Sequence, residues 1–293
     1  MKIDVTIATK DNEHTIEKVI QAVQENIPYN EIILVDDSSD NTPRLAEALG
    51  AKVYRVEGRL GVKRIMQAKL SRTQWIASID SDVIVYPNWW EKMTRPLADN
   101  RLASVGGYLE SDFKIIFPDY EKYTKFCAGF RRKFVKRSGT IGCTLIKREV
   151  LLLCEEALRH VHAGEDTVIG KVLQKRGFKH VTVRDVVGYH FHRNPVDHHI
   201  MAYFRAGKSS RSGLGTWKAL FACVRFLSLQ FLQMALFASA EKRPTVRLWS
   251  FVSLLSVLYV AGFLNSQKLR DRAEAKIGLF MKNCGLKNAC TTE

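Results

Sequence analysis

Over its first 107 residues the chain alternates short apolar runs with amphipathic helical stripes. No other feature restricts the fold as much. Ile3 to Ala8, Glu31 to Val35, Lys52 to Val56, Trp75 to Asp80 and Leu102 to Gly107 read as strands. Ile16, Val19, Ile20 and Val23 mark one helix, and Thr42 to Leu49 a second that Gly50 closes. Val62 to Leu70 and Asn88 to Ala98 supply two more. Such alternation predicts βαβ units, hence an α/β fold with a Rossmann-like, mostly parallel sheet and helices on both faces. Ligands on such sheets bind beyond the carboxyl ends of the strands. The loops after Thr9, Asp36 and Asp80 all fall there.

The pattern lapses between Asp112 and Ser138, where seven aromatic residues are interleaved with Lys and Arg. This stretch suits either a helix packing aromatics on the sheet or an acceptor-side or membrane-facing wall. Thr140 to Ile146 returns as a strand, Arg148 to Leu158 and Thr167 to Arg176 as helices, and Phe178 to Val183 as a short strand. The composition changes after about Gly213. Leu214 to Ala240 carries only Lys218 and Arg225 as charges, and Leu248 to Gln267 carries none over twenty residues. A run of that length just spans a bilayer. The expected organisation is a catalytic domain over residues 1–212 and a helical membrane-associating hairpin over 213–293.

Net charge is +15, which favours polyanions, anionic lipid headgroups or phosphorylated substrates. No arginine-rich tail or zinc-finger spacing accompanies it, so no nucleic-acid partner is expected. The six cysteines are scattered, and Cys143, Cys154 and Cys223 lie in apolar surroundings, as in a reducing compartment. Cys284 and Cys290 make the one plausible disulfide. A strand starting at Ile3 leaves no sign of a cleavable leader.

Two carboxylates, Asp80 and Asp82, flank Ser81 at the end of an apolar strand. Alternate strand residues point the same way, so both can reach one hard cation such as Mg²⁺ or Mn²⁺, with a substrate diphosphate completing the shell. Asp and Ser are equally ordinary in a plain strand-to-loop turn. No Gly-x-Gly-x-x-Gly is present, and Gly207-Lys208-Ser209 lacks the earlier glycine of a P-loop.

Val35-Asp36-Asp37-Ser38-Ser39-Asp40-Asn41-Thr42 resembles the Val-Asp-Asp-Gly-Ser stretch of family 2 glycosyltransferases. The opening strand through Thr9, with Ala8 where a Pro is usual, is similar to theirs, and Asp80-Ser81-Asp82 is similar to their Asp-x-Asp motif. Gly139 to Gly142 resembles their glycine loop, Gly164-Glu165-Asp166 their base-bearing pair, and Gly188 to Arg193 their histidine segment. The resemblance covers about residues 1–212 and implies a metal-dependent inverting transferase of GT-A type.

In that reading Asp82, with Asp80 nearby, holds the metal; His190 is a third ligand or touches the diphosphate, with His192 as its alternative. Asp166 is the base and Glu165 orients it or the acceptor. Thr9, Asp36 and Asp37 recognise base or ribose, Asp80 and Ser81 line the nucleotide-sugar, and Lys63 or Arg64 sits beside the nucleotide or on a solvated helix face. The donor is GDP-mannose or a UDP-sugar. The acceptor is a lipid-linked sugar or glycan, with membrane lipid as partner and the site on the cytoplasmic face of the cell membrane. The Gln-x-x-Arg-Trp motif of processive synthases is absent, since Arg211 and Trp217 stand too far apart. A polyprenyl- or dolichyl-phosphate sugar synthase and a non-catalytic membrane scaffold are the rivals.

Overall fold

A computed structural model describes residues 1–99, 101–111, 119–120, 122–123, 126–127, 142–161, 164–191, 200, 203–204, 207, 216–241 and 246–283. The chain divides into two compact units, Met1–Ser111 with Arg137–Phe191, and Asp112–Lys136 with His192–Glu293. The expected boundary at 212/213 lies outside the described residues. So do Phe113, Phe117, Phe130, Phe134, the basic cluster at 131–137, His162, His192, His198, His199, Cys284 and Cys290.

The first unit is an α/β layer structure. Strands β1 (Ile3–Thr9), β2 (Tyr29–Asp36), β3 (Lys52–Arg55), β4 (Trp75–Asp80), β5 (Val83–Val85), β6 (Leu102–Ser111), β7 (Cys143–Lys147) and β8 (Lys179–His190) form one sheet in the order β3-β2-β1-β4-β7-β6-β8-β5. From β3 to β4 all neighbours are parallel, and β6 pairs β8 in parallel. β7 runs antiparallel to both β4 and β6, and β5 antiparallel to β8, so four of seven pairings are parallel and the sheet is mixed.

Helices cover both faces, as the alternation predicts. One core joins α1 (Ile16–Asn26), α2 (Thr42–Ala48) and α4 (Trp89–Thr94) to the sheet side bearing Val5, Ile7, Leu34, Ala77 and Leu145. The other joins α3 (Leu60–Leu70), α5 (Arg148–Leu153), α6 (Glu155–Leu158) and α7 (Glu165–Lys175) to the side bearing Ile76, Ala103 and Ile146. Alternate residues of one strand thus serve opposite cores. Gly50 and Gly177 follow their helices at φ 80 and φ 71, where a side chain would be strained.

Expected elements of this unit differ in their bounds. The fourth helix is α only to Thr94 and then narrows to a 3-10 turn at Arg95–Ala98, where Pro96 removes a helix donor. The helix expected from Arg148 to Leu158 turns at Cys154 and becomes two. β8 extends to His190 instead of ending at Val183, because β6 and β5 pair with it on both sides.

The second unit is helical: α8 (Thr216–Glu241), α9 (Val246–Phe263) and α10 (Gln267–Asn283). α8 and α9 each include 18 residues long and apolar enough to cross a membrane. The uncharged run to Gln267 is not one helix. Asn265 takes φ 52, and the chain restarts as α10, which packs Ala273, Ile277 and Phe280 against the α9 side of this core. Tyr120 and Tyr123 belong to this core and not to the sheet: Tyr120 meets Phe251 edge-on at 4.9 Å and Tyr123 meets Phe237 at 5.6 Å.

Candidate active site

The site lies at the carboxyl ends of β1, β2 and β4 and takes in the end of β8 and the start of α7. At β2, Asp36 is fully buried and spent on internal partners. It accepts from Ser38 Oγ at 2.6 Å and from Ser38 N–H at 3.2 Å, and it pairs with Arg55. Asp37 is the outward member of the pair. Its carboxylate takes Lys10 at 3.2 Å and lies 3.7 Å from Lys63. Burial alone would raise the Asp37 carboxyl, but the Lys10 hydrogen bond and both ammonium charges hold it below the usual range.

Much of the Asp/Ser-rich stretch ties two loops together. Asp40 receives Thr42 N–H at 2.9 Å and Glu13 N–H at 3.1 Å; Asn12 N–H reaches Thr42 Oγ1 at 2.8 Å. Asp11, at φ 54, accepts from Ser39 N–H at 2.7 Å. The rigid double loop fixes Thr9, which is buried and accepts from Lys63 Nζ at its carbonyl, 2.7 Å.

Lys63 and Arg64 are not a solvated helix face: both are buried, Arg64 to 1%. Arg64 donates to Asp80 Oδ1 at 2.6 Å, Glu165 Oε1 at 3.1 Å, Ser78 Oγ at 3.1 Å and Gln67 Oε1 at 3.4 Å. Burial opposes its charge, while Asp80 and Glu165 hold the guanidinium protonated more firmly than usual. Lys63 is shifted down by burial, with Asp37 and Asp36 opposing.

At β4 the two motif carboxylates part company. Asp80 faces Arg64, and its N–H donates to the Gly142 carbonyl at 2.9 Å. A Cβ on Gly142 would stand 2.1 Å from Asp80 Oδ2, so any larger residue there would have to displace that carboxylate. Ser81 is buried and its carbonyl accepts from Thr15 Oγ1 at 2.8 Å. Asp82 Oδ1 meets His190 Nε2 at 3.1 Å, with both side chains partly open to solvent. Burial alone would lower the His190 imidazole, but Asp82 and then Asp80 raise it overall. β8 delivers this histidine: Val83 pairs with His190 across the β5–β8 ladder.

α7 begins after Gly164 at φ 81. Glu165 is buried against Arg64, while Asp166 is only half-buried and accepts from Thr167 N–H at 2.7 Å. The first turn of a helix is a favourable place for a carboxylate. Among the described residues no three metal-ligating side chains gather as a ready cage. Asp82 and His190 meet as a pair, and Asp80 lies across from Arg64.

The residues beyond the sequence reading are Arg55, Ser38, Lys10 and Thr15, together with the Arg64–Glu165 pairing. One signal was available for the last: Arg64 interrupts the Gly61, Ile65, Ala68 stripe of α3, and a charge within an apolar stripe needs a buried partner.

A mixed sheet with helices on both faces and carboxylates at its strand ends is the architecture of GT-A-type α/β domains. The model of glycosyl transferase family 2 matches residues 4–151, half of the chain, and the chain belongs to that family. An uncharacterized glycosyltransferase of Rickettsia bellii (strain RML369-C) is 30% identical over 161 residues, 49% of this chain and 50% of that protein. The chain thus spans about half the length of that curated relative.

Among solved structures, a mycobacterial protein superposes with TM-score 0.50 at 20% identity, over 73% of this chain and 75% of that one. Glucosyl-3-phosphoglycerate synthase from Mycobacterium tuberculosis, in complex with Mn²⁺, UDP and phosphoglyceric acid, superposes with TM-score 0.50 at 19% identity, over 70% and 76%. Likeness at these identities concerns the fold.

Proposed function

We propose that the protein is a metal-dependent inverting glycosyltransferase that moves a sugar from a nucleotide-sugar to a hydroxyl of a lipid-linked acceptor at the cytoplasmic face of a membrane. The observation that carries this reading is the gathering of Asp37, Asp80, the Asp82–His190 pair and the Glu165–Asp166 helix start around one sheet end in a family 2 chain.

The donor set fits Mg²⁺ or Mn²⁺. Asp82 and His190 offer an oxygen and an imidazole already in contact and partly open, which suits a hard cation that completes its shell with diphosphate and water. Asp82 and His190 would hold the ion; when bound, it neutralises the charge that builds on the leaving diphosphate.

The chain's own residues do the rest. The Asp36–Asp37 strand end and the Thr9 loop, fixed by Lys63, shape the wall for base and ribose. Asp80, held by Arg64, keeps a defined edge toward the sugar. Asp166 takes the proton of the acceptor hydroxyl. The hydroxyl oxygen forms the new bond at the anomeric carbon, and the bond to the diphosphate breaks with its electron pair on the leaving oxygen. Attack opposite the leaving group inverts the configuration.

The lipid side of the reading rests on the helical unit. α8 turns Trp217, Phe221 and Phe231 outward at 83%, 70% and 69% exposure, and buries Gln230 and Gln233. An outward apolar face of this kind suits lipid as solvent. α8 and α9 have the length and hydropathy to cross it. GDP-mannose and UDP-sugars are the donor arms to test. The test is transfer of labelled sugar from each donor to a membrane lipid extract with Mn²⁺. Metal-dependent label in an organic-extractable, base-stable product supports the reading, and no transfer from any donor contradicts it.

A further inference from the structure

α3 reaches the ends of β1, β2 and β4 and the start of α7. Near its start, Gly61 N–H donates to the Val161 carbonyl at 3.0 Å, and a Cβ on Gly61 would stand 2.0 Å from the Leu158 carbonyl oxygen. That contact seats Leu158, which ends α6, and Val161 directly on the helix backbone. Lys63 reaches the Thr9 carbonyl and the Asp37 side. Arg64, 101 residues before Glu165, joins Glu165 to Asp80 through a single guanidinium nitrogen. It is 1% exposed, and its other nitrogens are taken by Ser78, Gln67 and Glu165. A group so enclosed is fully engaged within the protein.

We propose that Arg64 is a positioning residue of the transfer step: its fork fixes the donor-side carboxylate Asp80 and the acceptor-side Glu165 in one geometry, and thereby sets where Asp166 stands. This rests on the transferase reading above. The physical case is directional. A planar guanidinium holds two carboxylates at fixed angles, which an ammonium does not. Glu165 is the first residue of α7 and Asp166 the second, so a displaced Glu165 carries the base with it. A misplacement of about 1 Å costs on the order of 10²-fold in rate.

The test uses the full chain in detergent with Mn²⁺, comparing wild type, Arg64→Lys, Glu165→Gln and Arg64→Lys/Glu165→Gln. Transfer rate and Mn²⁺-dependent nucleotide-sugar binding are read separately. Each single variant is expected to lose about 10²-fold in kcat with donor binding within a few-fold of wild type. The double variant is expected to fall little further, because both changes break one unit. Arg64→Lys keeps the buried charge and Glu165→Gln keeps volume and hydrogen bonding, so folding survives in at least one arm. Losses that multiply in the double variant, or a loss in donor binding alone, overturn the inference while leaving the enzyme reading intact. Wild-type protein that binds no nucleotide-sugar overturns both.

Discussion

Helix α1 buries Ile16, Val19, Ile20 and Val23 and turns Glu17, Lys18 and Gln21 outward, whereas helix α8 buries Gln230 and Gln233 and turns Trp217, Phe221 and Phe231 outward. The outer faces of these two helices thus differ in polarity, although both units bury apolar cores. In the α/β unit most buried charges gather at the site and are tied to one another, as Arg64 is to Asp80 and Glu165, while Asp4 is buried apart from it on amide and backbone donors. In the helical unit Gln230 bonds Tyr123 and Tyr203 at 2.9 and 3.0 Å, while both amide atoms of Gln233 are buried without a bond among the described residues. The outer face of α1 is polar, whereas α8, like α9, has the length and hydropathy to cross a membrane.

Separating the units by function breaks the comparison most strongly. Asp166→Asn is expected to cut transfer to a hydroxyl acceptor by about 10³-fold while leaving partition into lipid vesicles unchanged. Retained activity would instead fit an acceptor phosphate that needs no base. Next comes the core of the first unit. Ile20→Ala leaves a cavity under α1 and costs about 2–5 kcal/mol in denaturant unfolding, with no effect on vesicle binding.

The converse change acts on the outer face of α8. Phe221→Asp with Phe231→Asp lowers vesicle partition about 10²-fold in a flotation assay, and Mn²⁺-dependent donor binding stays as in wild type.

A smaller effect is set by pH. Asp4 takes Asn30 Nδ2 at 2.9 Å and the Arg72 and Thr73 N–H groups at 2.6 and 3.0 Å. Burial alone would raise its carboxyl, but these bonds hold it below the usual value. Its contribution is therefore complete above the unfolded carboxyl value of about 3.9 and is lost as pH falls through the folded one. Asp4→Asn is expected to cost about 1–2 kcal/mol at pH 7 and to flatten the acid side of the stability curve. Smallest of all, Gln233→Leu removes an unpartnered buried amide and is expected to leave detergent stability equal or raised by about 1 kcal/mol.

The elements set by local period were legible in the chain: β1, β2, β4, α1 and the apolar helices α8 and α9 follow their stripes closely. So were the strand-end carboxylates, because each ends or follows a readable run, whereas His190 was picked out only by its resemblance to the family's histidine segment. What escaped depends on pairings distant in sequence. β8 runs on to His190 because β5 and β6 flank it, and β5 is three residues with no periodicity to read. The Arg64 fork joins residues 101 apart. The α9–α10 break rests on the backbone of Asn265 within a run that reads as continuous. Tyr120 and Tyr123 were legible as aromatic but not as to partner, since the sheet and the helices offer equally apolar surfaces.

The central claim is tested most directly by thermal stabilisation of the full chain in detergent by UDP-, GDP- and dTDP-sugars, with and without Mn²⁺, beside Asp82→Asn. Stabilisation by one nucleotide class that requires Mn²⁺ and disappears in Asp82→Asn is the predicted result, since a ligand at about 100 times its Kd adds about 2.7 kcal/mol. No stabilisation of the wild type by any of them, or the same stabilisation in Asp82→Asn, would contradict it.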